Sequence, residues 1–214
     1  MGKQDDKLQE ILTVPNMITL ARLIMVPIAF IVLVATDKYL LAFFLFVTAA
    51  LSDFLDGYIA RVTDSVTEFG SKLDPLVDRF LLMAWVLALF IIGRLPLWIV
   101  IGLIARDLYI MQGAARMRAM GIGRVPVLPL GKIATGLLFL GFSGLIWGSP
   151  AAHGLGLTSV PWFPGLDHSI YIIWIWLVYI GFILSLITMV WYRVLAETKK
   201  KKHRLGSLPN SLKD

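Results

Sequence analysis

Asp53, Asp56, Asp74 and Asp78 lie in or at the ends of two long apolar runs, where each ionised carboxylate costs roughly 2.5 to 3.5 kcal/mol on insertion scales. Four such residues are not incidental. On a helix Asp53 and Asp56 stand about 60° apart and Asp74 and Asp78 about 40° apart, so each pair shares one face. The stretch from Val62 to Thr67 is short and polar. It makes the two helices antiparallel neighbours and brings the pairs to similar depth. Four converging carboxylates cannot all stay ionised without a compensating cation, and oxygen donors without His or Cys suit Mg²⁺ or Mn²⁺. Two such ions about 3.5 to 4 Å apart can activate an attacking oxygen and stabilise a leaving phosphate. A proton or cation pathway would also use intramembrane acids, and salt bridges to Arg61 and Arg79 are a third reading.

The neighbouring residues are small. Gly57, Ala60 and Gly70 permit close helix packing, the common role of small residues in membranes, and beside a metal cluster they also leave room for a flat ligand against the backbone. The chain has no cysteine, which excludes a disulfide framework, a Cys-based zinc site and a thiol nucleophile. Any chemistry must run on carboxylates, bases or hydroxyls.

The elements that hold these acids are set by composition. Of 214 residues, 58% are apolar and 16% charged, with mean hydropathy +0.79. Such a chain is neither disordered nor an ordinary water-soluble domain. The expected fold is an all-α integral membrane bundle of six transmembrane helices, at about Pro15 to Ala35, Tyr39 to Arg61, Glu68 to Ile92, Pro96 to Met120, Gly131 to Trp147 and Ile170 to Leu195. Residues 1–14 read as a juxtamembrane amphipathic segment lying on the membrane surface, with Leu8, Ile11 and Leu12 at helical spacing. Residues 15–196 form the membrane domain, and 197–214 a polybasic cytoplasmic tail.

Basic residues set the orientation. Lys3, Lys7, Arg61, Lys72, Arg116, Arg118, Arg124, Lys132, Arg193 and the run Lys199 to Arg204 fall on one side, and only Lys38 and Arg94 on the other. By the positive-inside rule both termini and the acid cluster face the cytoplasm. The net charge of +6 is accounted for by this belt and does not imply nucleic acid, because no basic stripe is interleaved with exposed aromatics. The N-terminus reads as neither a signal nor a transit peptide, which favours a bacterial cytoplasmic membrane. The loop from Gly148 to His168, with Trp162, three prolines and no Lys or Arg, reads as an outward-facing loop with interfacial aromatics.

Read together, the stretch is Asp53-x2-Asp56-Gly57-x2-Ala60-Arg61-x8-Gly70-x3-Asp74-x3-Asp78. It matches, at all eight specified positions, the signature of the CDP-alcohol phosphotransferases. The resemblance implies a six-helix membrane enzyme, typically a homodimer, that transfers a substituted phosphate from a CDP-linked donor to an alcohol and releases CMP with two divalent ions. Carried over by motif position, Asp53, Asp56, Asp74 and Asp78 would hold metal, and Asp78 would take the proton from the acceptor hydroxyl. Asp53, Gly57, Ala60, Arg61, Gly70 and Asp74 would accommodate the CDP moiety.

Outside the signature, Asn16-x2-Thr19-x2-Arg22 and Gly131-Lys132-x2-Thr135 resemble segments of the phosphatidylglycerophosphate synthase branch. Asn16, Thr19 and Arg22 share a helical face. They would contact donor phosphate or headgroup, or else simply anchor the start of the span. Arg116, Lys132 and Arg193 lie towards the cytoplasmic ends of the last three spans, where they would bind an anionic acceptor or only obey the positive-inside rule. Arg106-Asp107 reads as an internal ion pair, and differs from the Arg-Glu often found in that branch.

The implied donor is CDP-diacylglycerol, and the first acceptor is sn-glycerol 3-phosphate. Phosphatidylglycerol, giving cardiolipin, is the alternative; inositol phosphate is a third. A cation or proton transporter is the reading from another class. It would need polar residues reaching the outer half of the bundle, whereas the four acids cluster at one end.

Overall fold

A chain in hydrocarbon must satisfy its backbone hydrogen bonds internally, and long apolar runs therefore fold as helices. The computed structural model describes residues 14–62, 68–121, 128–160, 162–167 and 170–206. Six helices are found among them: α1 Val14–Ala35, α2 Tyr39–Val62, α3 Glu68–Ile91, α4 Leu97–Ala119, α5 Pro129–Trp147 and α6 Ile175–Gly206. Four contain stretches long and apolar enough to cross a membrane, Met17–Ala35, Leu97–Met117, Pro129–Trp147 and Ile175–Lys200, while the apolar part of α2, Tyr39–Ser52, is shorter. Large apolar side chains such as Ile24, Ile31, Phe44 and Leu140 are more than half exposed. A water-soluble fold does not leave such surface on every helix.

The expected helix bounds hold for α1 to α5 within a few residues. The last span is different. Ile170–Ile172, expected to open it, is a β-strand (β2) paired antiparallel with β1, Ala151–His153. An apolar Ile-Tyr-Ile triplet suits a strand as well as a helix, and the hairpin partner decides. The final helix then starts at Ile175 and continues to Gly206, well past Leu195. The amphipathic segment before residue 14 and the end of the tail from 207 lie outside the described residues.

The chain divides into two units, Met1–Pro96 with Phe142–Ile173, and Leu97–Gly141 with Trp174–Asp214. In the first, α1 packs on α2 and α3. Its buried stripe is Thr19, Arg22, Val26, Ala29 and Leu33, the three-and-four spacing of one helical face. The stripe of α2 is Ala42, Phe46 and Ala49, and that of α3 is Val77, Leu81, Trp85 and Ala88. Trp85 is the hub. Its ring meets Phe46 edge-on at 5.2 Å and Phe142 at 6.1 Å, so one aromatic cluster ties α2, α3 and the end of α5 together.

In the second unit α5 and α6 run antiparallel at close range. A Cβ at Gly181 would stand 3.1 Å from the Ala134 carbonyl oxygen, one at Gly141 2.7 Å from Val178 Cγ2, and one at Gly131 3.2 Å from Thr188 Cγ2. Small residues let backbones meet where no hydrophobic force separates helix from lipid. The α4 helix lies parallel to α6, with Gly102 beneath the Phe182 ring and Trp98 stacked on Tyr179 at 5.7 Å. Ser185 and Thr188, both fully buried, donate back to the Phe182 and Leu184 carbonyls at 2.7 Å. No hydroxyl proton of theirs is left unsatisfied.

Candidate active site

The described part of the acid cluster is Asp78, and its partner is unexpected. Arg22 on α1 is fully buried. Its Nε donates to Ser52 Oγ at 3.3 Å and its Nη1 to Asp78 Oδ1 at 3.5 Å, while the Asp78 side chain remains half exposed. Ser52 Oγ in turn donates to the Ala49 carbonyl at 2.8 Å. One guanidinium thus bridges three helices at the level where the acids begin. A planar fork with donors pointing two ways suits such a bridge, whereas a lysine would carry its donors on a single atom.

Arg22, read from sequence as a donor contact or helix-start anchor, is engaged with Ser52 and with Asp78 of the motif. Thr19, one turn before it, is also buried. Ser52 escaped sequence reading because a serine next to an aspartate carries no pattern of its own. Asn16, Asp53, Asp56, Gly57, Ala60, Arg61, Gly70 and Asp74 are described as helical backbone, and their side chains lie outside the described residues. Their register is nevertheless informative. The three-and-four spacing of Ala42, Phe46 and Ala49 continues through Asp53, Asp56 and Ala60, and that of Leu81 and Val77 runs back through Asp74 and Gly70.

The three basic residues expected to hold an acceptor sit in the second unit. Arg116, Lys132 and Arg193 are all exposed. Leu128 N donates to the Tyr192 hydroxyl at 3.1 Å, which together with the Gly131–Thr188 approach brings the start of α5 level with residues 188–192 of α6. Lys132 and Arg193 therefore occupy one end of this unit. From Gly102, level with Phe182, the helical rise carries Arg116 about 21 Å and Arg193 about 17 Å in the same direction. All three share that end. Arg193 Nε lies 3.4 Å from Glu197, an exposed pair one turn apart that binds weakly enough to be exchanged for a better anion. Arg106 and Asp107 form the expected internal ion pair at 2.6 Å, largely buried.

At the other end of the first unit Arg94 acts as a clamp. Its Nη1 donates to the Leu145 and Ile146 carbonyls at 2.7 Å each, and its guanidinium lies 4.2 Å over the Tyr39 ring. Burial lowers its pKa, with Tyr39 opposing the shift. The cation caps the last carbonyls of α5, where the helix dipole favours positive charge.

A family model, CDP-alcohol phosphatidyltransferase, matches residues 12–191. The chain belongs to the CDP-alcohol phosphatidyltransferase family. Membership makes it a membrane transferase of phospholipid synthesis. The match contains the whole aspartate signature, α1 with Arg22, and Arg116 and Lys132, and ends two residues before Arg193. A Bacillus subtilis protein named CDP-diacylglycerol–glycerol-3-phosphate 3-phosphatidyltransferase is 32% identical over 173 residues, covering 74% of this chain and 86% of that one. A Rickettsia felis protein of the same name is 32% identical over 151 residues, covering 68% and 81%. A Mycobacterium tuberculosis protein with the provisional name cardiolipin synthase is 30% identical over 138 residues, covering 64% of this chain and 66% of that one. The aligned region thus spans just under two thirds of the mycobacterial relative.

CDP-alcohol phosphatidyltransferases are generally dependent on a divalent metal. Among the described residues there is no group of three or more His, Cys, Asp or Glu suited to one, and that set leaves out the side chains of Asp53, Asp56 and Asp74. Of the four carboxylates only Asp78 is described in full.

Proposed function

We propose that the chain transfers the phosphatidyl group of CDP-diacylglycerol to sn-glycerol 3-phosphate, giving phosphatidylglycerophosphate and CMP. The observation that carries this reading is the Arg22 bridge from Ser52 to Asp78, taken with the Phe46–Trp85 contact. These two levels define an antiparallel register for α2 and α3. Counting from them, Asp53 falls level with Asp78, and Asp56 level with Asp74. Four aspartates at two levels of neighbouring helices, with no His or Cys in the motif, are a donor set suited to two Mg²⁺ or Mn²⁺ ions. A cation already rests on the one described member, so the donor set fits positive charge.

In this reading Asp53, Asp56, Asp74 and Asp78 hold the ions, which when bound supply charge stabilisation to the pyrophosphate of the donor. Gly57, Ala60, Arg61 and Gly70 leave the backbone open to the CDP moiety, with Asp53 and Asp74 at its edge. The half-exposed Asp78 carboxylate accepts the proton of the acceptor hydroxyl. That oxygen forms a bond to the phosphatidyl phosphorus, and the bond from phosphorus to the CMP oxygen breaks in line, its electron pair leaving with CMP. No covalent enzyme intermediate is required. Arg116, Lys132 and Arg193 bind the phosphate of the acceptor; Asn16 and Thr19 lie along α1 towards the donor headgroup.

The names of the Bacillus and Rickettsia relatives support glycerol 3-phosphate as the acceptor. The second reading, phosphatidylglycerol as acceptor with cardiolipin as product, is favoured by the mycobacterial relative and by Arg106-Asp107 in place of Arg-Glu. Six spans, cytoplasmic termini, an active site facing the cytoplasm of a bacterial inner membrane and a homodimer complete the proposal. The uneven distribution of basic residues along the sequence supports the orientation.

The deciding experiment gives purified protein labelled CDP-diacylglycerol, Mg²⁺ or Mn²⁺, and each acceptor separately, and measures CMP release and the lipid formed. Phosphatidylglycerophosphate is expected with glycerol 3-phosphate. Cardiolipin from phosphatidylglycerol would establish the second reading, and no product with any acceptor from folded protein would sink both.

A further inference from the structure

A fully buried arginine needs an explanation in any membrane protein, because an uncompensated cation there is costly. Arg22 has no exposed surface, which leaves it no face to offer a lipid headgroup. Its fork instead ends on Ser52, the residue before Asp53, and on Asp78, the last acid of the motif. The three helices it joins are those whose buried stripes meet in the first unit. The Asp78 side chain stays half exposed.

We infer that Arg22 is a positioning residue and a built-in counter-cation for the aspartate cluster. This rests on the metal site proposed above and extends it to a residue outside the motif. The guanidinium offsets mutual repulsion among the carboxylates when no divalent ion is present, and so lets the acids stay together in the empty site. It also fixes the Asp78 carboxylate in place. The cost falls on metal affinity: a divalent ion held by Asp78 would lie close to a fixed positive charge, and at a separation of about 5 Å the repulsion, even in a water-like dielectric, would weaken binding about tenfold. Arg22 thus trades tight metal binding for a carboxylate held in one place.

The test measures Mn²⁺ binding to purified protein by the loss of the free-ion paramagnetic resonance signal, together with kcat and the KM for CDP-diacylglycerol. For Arg22→Gln we expect Mn²⁺ to bind about tenfold more tightly than to wild type while kcat falls. Arg22→Lys keeps the charge and loses the fork. Its Mn²⁺ affinity should match wild type, with a lowered kcat and an unchanged donor KM. Should Arg22→Gln fail to fold, the Lys variant still decides, since a raised donor KM with normal kcat would make Arg22 a substrate contact and overturn the inference. Unchanged or weaker Mn²⁺ binding by Arg22→Gln would overturn it as well. Absence of Mn²⁺ binding by the wild type would instead remove the metal site itself, a failure separate from that of Arg22.

Discussion

Replacing Asp78 by Asn preserves the volume of the side chain but removes the charge that draws a proton from an incoming hydroxyl. Turnover of Asp78→Asn should fall at least about a hundredfold, the usual scale for a lost general base, while binding of the CDP-lipid persists. Equilibrium binding of labelled CDP-diacylglycerol measured beside CMP release checks this, and wild-type turnover would take Asp78 out of the base role. Lys132 makes a different prediction. Lys132→Ala should raise the KM for a phosphorylated acceptor about tenfold, the loss of one charge-assisted hydrogen bond, with the donor KM unchanged. An unchanged acceptor KM would reduce Lys132 to a topology signal. The acids were readable from sequence because charge inside an apolar run has few bland explanations. The burial of Arg22 beside Asp78 was not, since burial depends on which helices surround α1, and a one-chain pattern does not carry that. Ser52 was invisible for the same reason.

Helix packing yields a sharper contrast between two glycines of α5. A methyl at Gly141 would meet Val178 Cγ2 at 2.7 Å and Val178 N at 3.0 Å, whereas one at Gly136 has nothing within 4 Å. Gly141→Ala should therefore destabilise by about 1 to 3 kcal/mol through overpacking, and Gly136→Ala should be neutral or stabilising by up to about 1 kcal/mol from helix propensity alone. Thermal unfolding in detergent distinguishes them. Arg94→Ala should cost about 1.5 to 3 kcal/mol, the range for hydrogen bonds made by a charged group, and leave turnover intact at low temperature because the clamp lies away from the acids. Five helices were legible in the sequence because apolar runs ended at polar or proline-bearing breaks. The start of α6 was misjudged at Ile170–Ile172, where three β-compatible residues pair across a hairpin with Ala151–His153. Local pattern alone does not separate a strand of that length from a helix turn.

At the scale of the whole molecule the cysteine-free sequence makes topology easy to measure. Asp37 and Met120 are both exposed, and each lies just beyond the C-terminal end of its helix, α1 and α4, which the proposed topology runs through the membrane in opposite directions. With single replacements Asp37→Cys and Met120→Cys, a membrane-impermeant maleimide should label position 37 in intact cells and position 120 only after lysis. The reverse result would invert the proposed orientation. Composition was enough to state the class of molecule, because so few charges over such a length exclude a water-facing surface. The number of crossings was less readable: α2 and α3 spend part of their length carrying acids, and hydropathy cannot tell a span with a polar end from a shorter one.

The length of α6 has a mechanical consequence. Its 32 residues extend about 48 Å, against a hydrocarbon thickness of about 30 Å. Unless strongly tilted, such a helix emerges from the bilayer as a stiff post, and Lys199 to Arg204 are mounted on it. A flexible tether would let those cations find anionic lipid by diffusion. On a post their height is set by the number of residues beneath them, and with fields decaying over about 8 Å at physiological salt, each added or deleted turn of about 5.4 Å changes the attraction about twofold.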